Sequence, residues 1–169
     1  GVALEIYPIS EAGGKAVYGE ILERINSDAD WNKIIGAGAC YSAPCASTVA
    51  ALFTDIQKEN PSLNLGFTKP KEFPLTHQVE WTLYRNGWTY YSTKDFVASQ
   101  GAVGVNSRYT FAGWSDHTGH IYIIQKDNGY GVADNVADNT ARDRSYNKKW
   151  STSSVGFWLP PGVTPERRN

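Results

Sequence analysis

The spacing of apolar residues changes period part-way along the chain, and this change restricts the fold more than any single motif. In the first half, Ala16, Val17, Ile21, Leu22 and Ile25 recur at helical spacing, and so do Val49, Leu52, Phe53 and Ile56. In the second half, the runs Ala102–Val105, Gly119–Gln125, Tyr130–Ala133 and Val155–Leu159 are short, β-prone and separated by Gly, Asn, Asp and Ser. Helices first and strands after them predict an α+β domain, with N-terminal helices packed on an antiparallel β-sheet. At 169 residues a single domain spanning 1–169 accommodates the chain, and no repeat or low-complexity segment divides it.

Local signals bound the helices. Ser10 with Glu11 opens the first, which ends near Asn26-Ser27-Asp28. Residues 29–41 contain Trp31, Ile34, Ile35 and then Gly36-Ala37-Gly38-Ala39, and are expected to form a loop in which backbone approaches backbone. The second helix runs from Pro44, suited to the first helical position, to about Lys58, with Asn60-Pro61 as its stop. Thr76 to Arg85 predicts a third helix with Val79, Leu83 and Trp81 facing in. A hairpin is the rival, because Val79, Trp81 and Leu83 also alternate and Asn86-Gly87 is a strong hairpin turn. The polar stretch Asn135 to Trp150 is expected to be an exposed loop.

With 16 basic and 17 acidic residues, dispersed along the chain, nothing points to a nucleic acid or an anionic membrane as partner. No apolar stretch is long enough to cross a bilayer, and Gly1-Val2-Ala3-Leu4-Glu5 lacks the pattern of a signal peptide. Six Trp and ten Tyr suit a surface that binds glycans or peptides. Three His and two Cys show no repeated ligand spacing, so neither a metal nor another cofactor is expected.

The chemistry rests on a cysteine and a histidine. Cys45 follows Pro44 in the first helical turn, where unpaired N–H groups and the positive end of the dipole favour thiolate. One turn before Val49, it falls on the core-facing side of the helix at the mouth of a cleft. His120 opens an apolar strand, sharing a face with Tyr122 and Ile124. A catalytic imidazole needs a third group, and a hairpin turning through Lys126-Asp127-Asn128-Gly129 would bring Asp134 or Asn135 back beside it, with Asp134 preferred. Cys45 as an inert buried residue, or as half of a bridge to Cys40, stands beside the catalytic reading. Asp116 and His117 belong to an expected exposed turn, and His77 to the surface. Tyr41, Trp114 and Tyr122 are candidates to line a peptide groove, against ordinary packing.

A cysteine helix with small residues, the strand Gly101-Ala102-Val103-Gly104, then Gly119-His120 with its apolar tail and Asp134 follow in an order that resembles the NlpC/P60 cysteine peptidases, a papain-like clan. Within the clan the chain looks closest to type VI secretion amidase effectors of the fourth family. The resemblance implies Cys45 as nucleophile, His120 as general base and Asp134 as orienting group. It also implies cleavage of peptidoglycan stem peptides between D-glutamate and diaminopimelate. Delivery to the periplasm or cell wall and inhibition by an immunity protein are implied with it. Where the clan often has Asp-Cys-Ser-Gly, this chain has Pro44-Cys45-Ala46-Ser47, and a shifted alignment would put Cys40 in the nucleophile's place. Two other readings remain: a glycan- or peptide-binding module without catalysis, and a same-fold amide hydrolase or transferase acting on protein.

Overall fold

Ser10 is the N-cap of the first helix, α1 (Glu11–Ile25), its side chain accepting from the Gly13 N–H at 3.0 Å. The computed structural model describes residues 7–38, 44–73, 75–107, 120–127, 133–137 and 154–169. Three further helices follow: α2 (Asp28–Gly38), α3 (Pro44–Glu59) and α4 (Thr76–Arg85), with a short 3-10 turn at Pro70–Glu72. The strands are β1 (Thr89–Ser92), β2 (Val103–Ser107), β3 (His120–Asp127), β4 (Ala133–Ala137) and β5 (Ser154–Leu159). They form one antiparallel sheet in the order β1-β5-β2-β3-β4. The α+β class follows directly.

α3 is the central helix. Val49, Leu52, Phe53 and Ile56 are all fully buried, as the helical stripe requires. They share one core with Val17 and Ile21 of α1, Trp31 and Ile34 of α2, and Val79 and Leu83 of α4. The sheet contributes Val103, Val105, Ile121, Ile123 and Trp158 to the same core. The alternate row of the sheet, with Ala102, Tyr122, Ile124, Phe157 and Leu159, builds a second core on its other face.

The helical reading of residues 76–85 prevails over the hairpin because Asn86-Gly87 acts as a helix terminus. Gly87 has φ 83°, its N–H donates to the Tyr84 carbonyl at 3.0 Å, and the Trp88 N–H donates to the Leu83 carbonyl at 3.1 Å. This pairing satisfies the last carbonyls of the helix.

Two expectations are corrected. Residues 29–41 are expected as a loop, but Asp28–Gly38 form α2, and 39–41 lie outside the described residues. Trp31, Ile34 and Gly38 fall on one buried face, and the bare Gly38 lets α2 meet α3 so closely that a Cβ there would lie 2.5 Å from the Thr48 Cα. Small residues that suggested a loop in fact allow helix-on-helix contact. The fourth strand is Ala133–Ala137, so Asn135 to Ala137 belong to the sheet rather than to a loop, while the remainder of that loop, 138–150, lies outside the described residues. β1, at Thr89–Ser92, was not expected; it is anchored by pairing with β5 from Thr89↔Leu159 to Ser92↔Gly156.

Candidate active site

α3 begins with Pro44, whose missing N–H costs nothing in a first turn, and Cys45 is its second residue. The thiol is half-buried, packs against the main core and is not in a disulfide. Behind it the helix start is fixed by α2. The Ser47 hydroxyl donates to the Gly38 carbonyl at 2.9 Å, satisfying a carbonyl that the end of α2 leaves unpaired. Ser47 and Thr48 are fully buried there. The nucleophile candidate therefore sits half-buried against the core at the start of the helix, as the spacing from Val49 predicts.

His120 is the first residue of β3, as expected from its apolar tail, and its register partner on β2 is Asn106. α3 lies on the face of the sheet that carries Ile121 and Ile123. Strand alternation gives position 120 the row of Tyr122 and Ile124, the opposite row.

Asp134 does not return beside His120. The β3–β4 hairpin is present, but its register pairs Asp127 with Ala133 and Lys126 with Asp134. Lys126 is six positions along β3 from His120. At about 3.3 Å per residue that is roughly 20 Å of strand. Asn135 pairs with Ile124, still well short of His120. The expected hairpin has its turn at Lys126–Gly129, whereas β3 runs on to Asp127, and bulges between Ile123 and Lys126 shift the register further.

Tyr122 is fully buried in the second core against Gly104, where a Cβ would stand 2.3 Å from its ring. It packs the sheet and does not line a groove. Tyr41, Trp114, Cys40, Asp116 and His117 lie outside the described residues. His77 is half-buried in the first turn of α4 rather than on the surface.

One ionisable group escaped the sequence reading. Glu80 of α4 is 5% exposed, and the Trp158 indole N–H donates to its Oε2 at 2.9 Å. Burial pushes its carboxyl up from 4.5 to about 7, the Trp158 hydrogen bond pulling the other way. Tyr90 of β1, set edge-on to Trp158, has its hydroxyl pushed up to about 12 by burial and by the Glu80 charge. The signal was present: Thr76, Val79, Glu80 and Leu83 are spaced i, i+3, i+4, i+7, and all four are buried.

Among the described residues no group of three or more His, Cys, Asp or Glu is placed to hold a metal ion. No helix among them is long and apolar enough to cross a membrane. No family model, curated protein or solved structure matches the chain. The resemblance to NlpC/P60 peptidases thus rests on the residues quoted for it.

Proposed function

We propose that the protein is a papain-like, NlpC/P60-type cysteine amidase that hydrolyses peptidoglycan stem peptides between D-glutamate and diaminopimelate. The observation that carries the reading is Cys45, a half-buried thiol at the second residue of a helix whose start is braced by Ser47 on Gly38. Catalytic thiols need such a place: backbone N–H groups for a developing negative charge, a rigid turn and an open side. α3 shares its core with β3, the strand that begins at His120.

In the reaction, the Cys45 thiolate attacks the amide carbonyl carbon, and the oxyanion draws on the N–H groups of the first turn of α3. The C–N bond breaks as the His120 imidazolium gives its proton to the leaving amine. Water then loses a proton to the imidazole and attacks the thioester, releasing the carboxylic acid and restoring the thiol. Tyr41 and Trp114 are assigned to the peptide groove. Such an enzyme acts in the periplasm or cell wall, and an immunity protein covering the cleft is its natural inhibitor.

Purified sacculi incubated with the protein, Cys45→Ala and Cys40→Ala test the proposal by the fragments released. Fragments with a free D-glutamate carboxyl, lost in Cys45→Ala and retained in Cys40→Ala, support it. Activity lost only in Cys40→Ala moves the nucleophile to Cys40. Binding to sacculi without release makes the protein a binding module, and neither binding nor release directs the search to protein amides.

A further inference from the structure

Tyr7 is the one large hydrophobic side chain that stands exposed among the described residues, at 56%. Its surroundings nevertheless hold it in place. Its N–H donates to the Arg85 carbonyl at 2.7 Å and the Ile9 N–H to the Asn86 carbonyl at 3.0 Å, which ties residues 7–9 to the end of α4. Pro8 lies against the bare Gly87, where a Cβ would stand 2.9 Å from the Pro8 Cβ. The Arg85 guanidinium sits over one face of the Tyr7 ring, 5.5 Å from its centre, so the exposure falls on the other face and the rim.

Two clefts meet at this ring, and Tyr7 and Asn64 line both. One, of about 330 Å³, adds Ser10, Gly13 and Ser62; the other, of about 400 Å³, adds Thr82 and Arg85 over the buried Leu65 and Phe73. The loop that carries Ser62 and Asn64 is fixed to the end of α3, since the Leu63 N–H donates to the Asn60 carbonyl at 2.9 Å and the Leu65 N–H to Gln57 Oε1 at 2.8 Å. Cys45 lies at the opposite end of that helix, roughly 20 Å away at about 1.5 Å per residue.

We propose that the groove across Tyr7 is a carbohydrate-binding site, where a ring of a neutral glycan chain stacks on the open face of Tyr7 and its hydroxyls bond to Ser62, Asn64 and Thr82. A pyranose ring has C–H groups on its faces and hydroxyls on its rim, so it needs a fixed aromatic plate bordered by neutral hydrogen-bonding groups. A polyanion is poorly served here. Arg85 is the one charged residue among those lining the clefts, and the first turn of α1 already carries the Ser10 cap and Glu11. An extended peptide is poorly served too, because the Tyr7 and Ile9 N–H groups are spent on α4 and Pro8 has none to offer an added strand. No carboxylate lines the clefts, so the site holds a glycan and does not cleave it. It does not rest on the cysteine-hydrolase reading.

Tetramers of N-acetylglucosamine and of glucose, both β-1,4-linked, are titrated into the full-length protein, with calorimetry for affinity and amide shifts for location. At least one should bind and shift the amides of Gly13, Ser62, Asn64 and Gly66. Tyr7→Phe should bind within about twofold of wild type and Tyr7→Ala about tenfold or more weakly, as loss of an aromatic contact implies. If Tyr7→Ala does not fold, Ser62→Ala with Asn64→Ala, both on the exposed loop, decides by the same loss. Binding of neither tetramer, binding unmoved by these substitutions, or shifts centred elsewhere overturns the site. Binding of only a sulfated oligosaccharide, or of only an extended peptide, overturns it as well. Cys45→Ala should bind the tetramers as tightly as wild type. Sacculi left undigested by a protein that binds a tetramer sink the hydrolase reading alone, and digestion by a protein that binds neither sinks this site alone.

Discussion

Replacing Glu80 by glutamine removes a charge that the fold accommodates poorly while keeping an oxygen to accept from the Trp158 indole. The carboxyl is 5% exposed, and that indole N–H is its one hydrogen-bond donor among the described residues. Burial raises its pKa from 4.5 to about 7. For an acid held neutral by the fold, the native state binds the proton more tightly than the unfolded chain. The contribution of Glu80 is therefore fully present below pH 4.5 and is lost as pH rises to about 7, beyond which it is constant. At about 1.4 kcal/mol per pKa unit, the loss is of the order of 3 kcal/mol. Urea unfolding of the wild type and Glu80→Gln at pH 4 and pH 8, followed by tryptophan fluorescence, reads it directly. Near pH 4 the two proteins should be nearly equal, since protonated Glu and Gln are close in shape and both neutral. At pH 8 the variant should be more stable by about 3 kcal/mol, a midpoint shift of about 1–2 M at an m-value of about 2 kcal/mol/M. All other titrating groups are common to both proteins and cancel in the comparison. A stability difference that is the same at both pH values would refute the claim that burial governs this carboxyl.

Four other outcomes are expected. Gly38→Ala forces a methyl to within 2.5 Å of the Thr48 Cα and should cost about 1–3 kcal/mol of stability, whereas Gly19→Ala, with nothing within 4 Å, should gain about 0.5–1 kcal/mol, both read from urea midpoints. Arg24 is 4% exposed and binds Asp55 and Glu59 of α3 at 2.8 Å each, so Arg24→Met should destabilise by about 2–3 kcal/mol, less than a fully buried pair because Glu59 is exposed. Mild oxidant should join Cys40 to Cys45 and abolish fragment release, with recovery under reductant; activity indifferent to both, with a bridge present in peptide maps, would count against Cys45 as nucleophile. The pH profile of Cys45 alkylation by iodoacetamide should shift toward higher pH in His120→Ala. An unchanged profile would mean that the imidazole does not act on the thiol.

Much of the fold was legible because its signals are local. Ser10 caps α1, Pro44 opens α3, and Gly87 closes α4 in the left-handed conformation that glycine favours. The apolar stripe of α3 gave its phase and so the inward side of Cys45. Other features depended on partners far away in sequence. α2 reads as a loop until Thr48 is brought against Gly38, and β1, with four residues, is too short to announce itself without β5. Tyr90 there stands over Gly156, where a Cβ would meet its hydroxyl at 2.1 Å. Glu80 was legible in phase yet passed over, because a carboxylate is not expected in an apolar row.

Hydrophobic period and capping chemistry act over a few residues, so the sequence by itself determined the helices α1, α3 and α4, the strands β2, β3 and β5, and that Cys45 starts a helix while His120 starts a strand. Register is different, because sliding one strand along another leaves every local preference satisfied. Only the tertiary structure decided that Tyr122 seats over Gly104, which sets Asn106 opposite His120 on one side of β3, and, separately, that Asp134 pairs with Lys126 on the other side. The physical reason is steric: a large ring fits where a distant glycine leaves room, and that fit has no signature in the neighbouring residues of either strand.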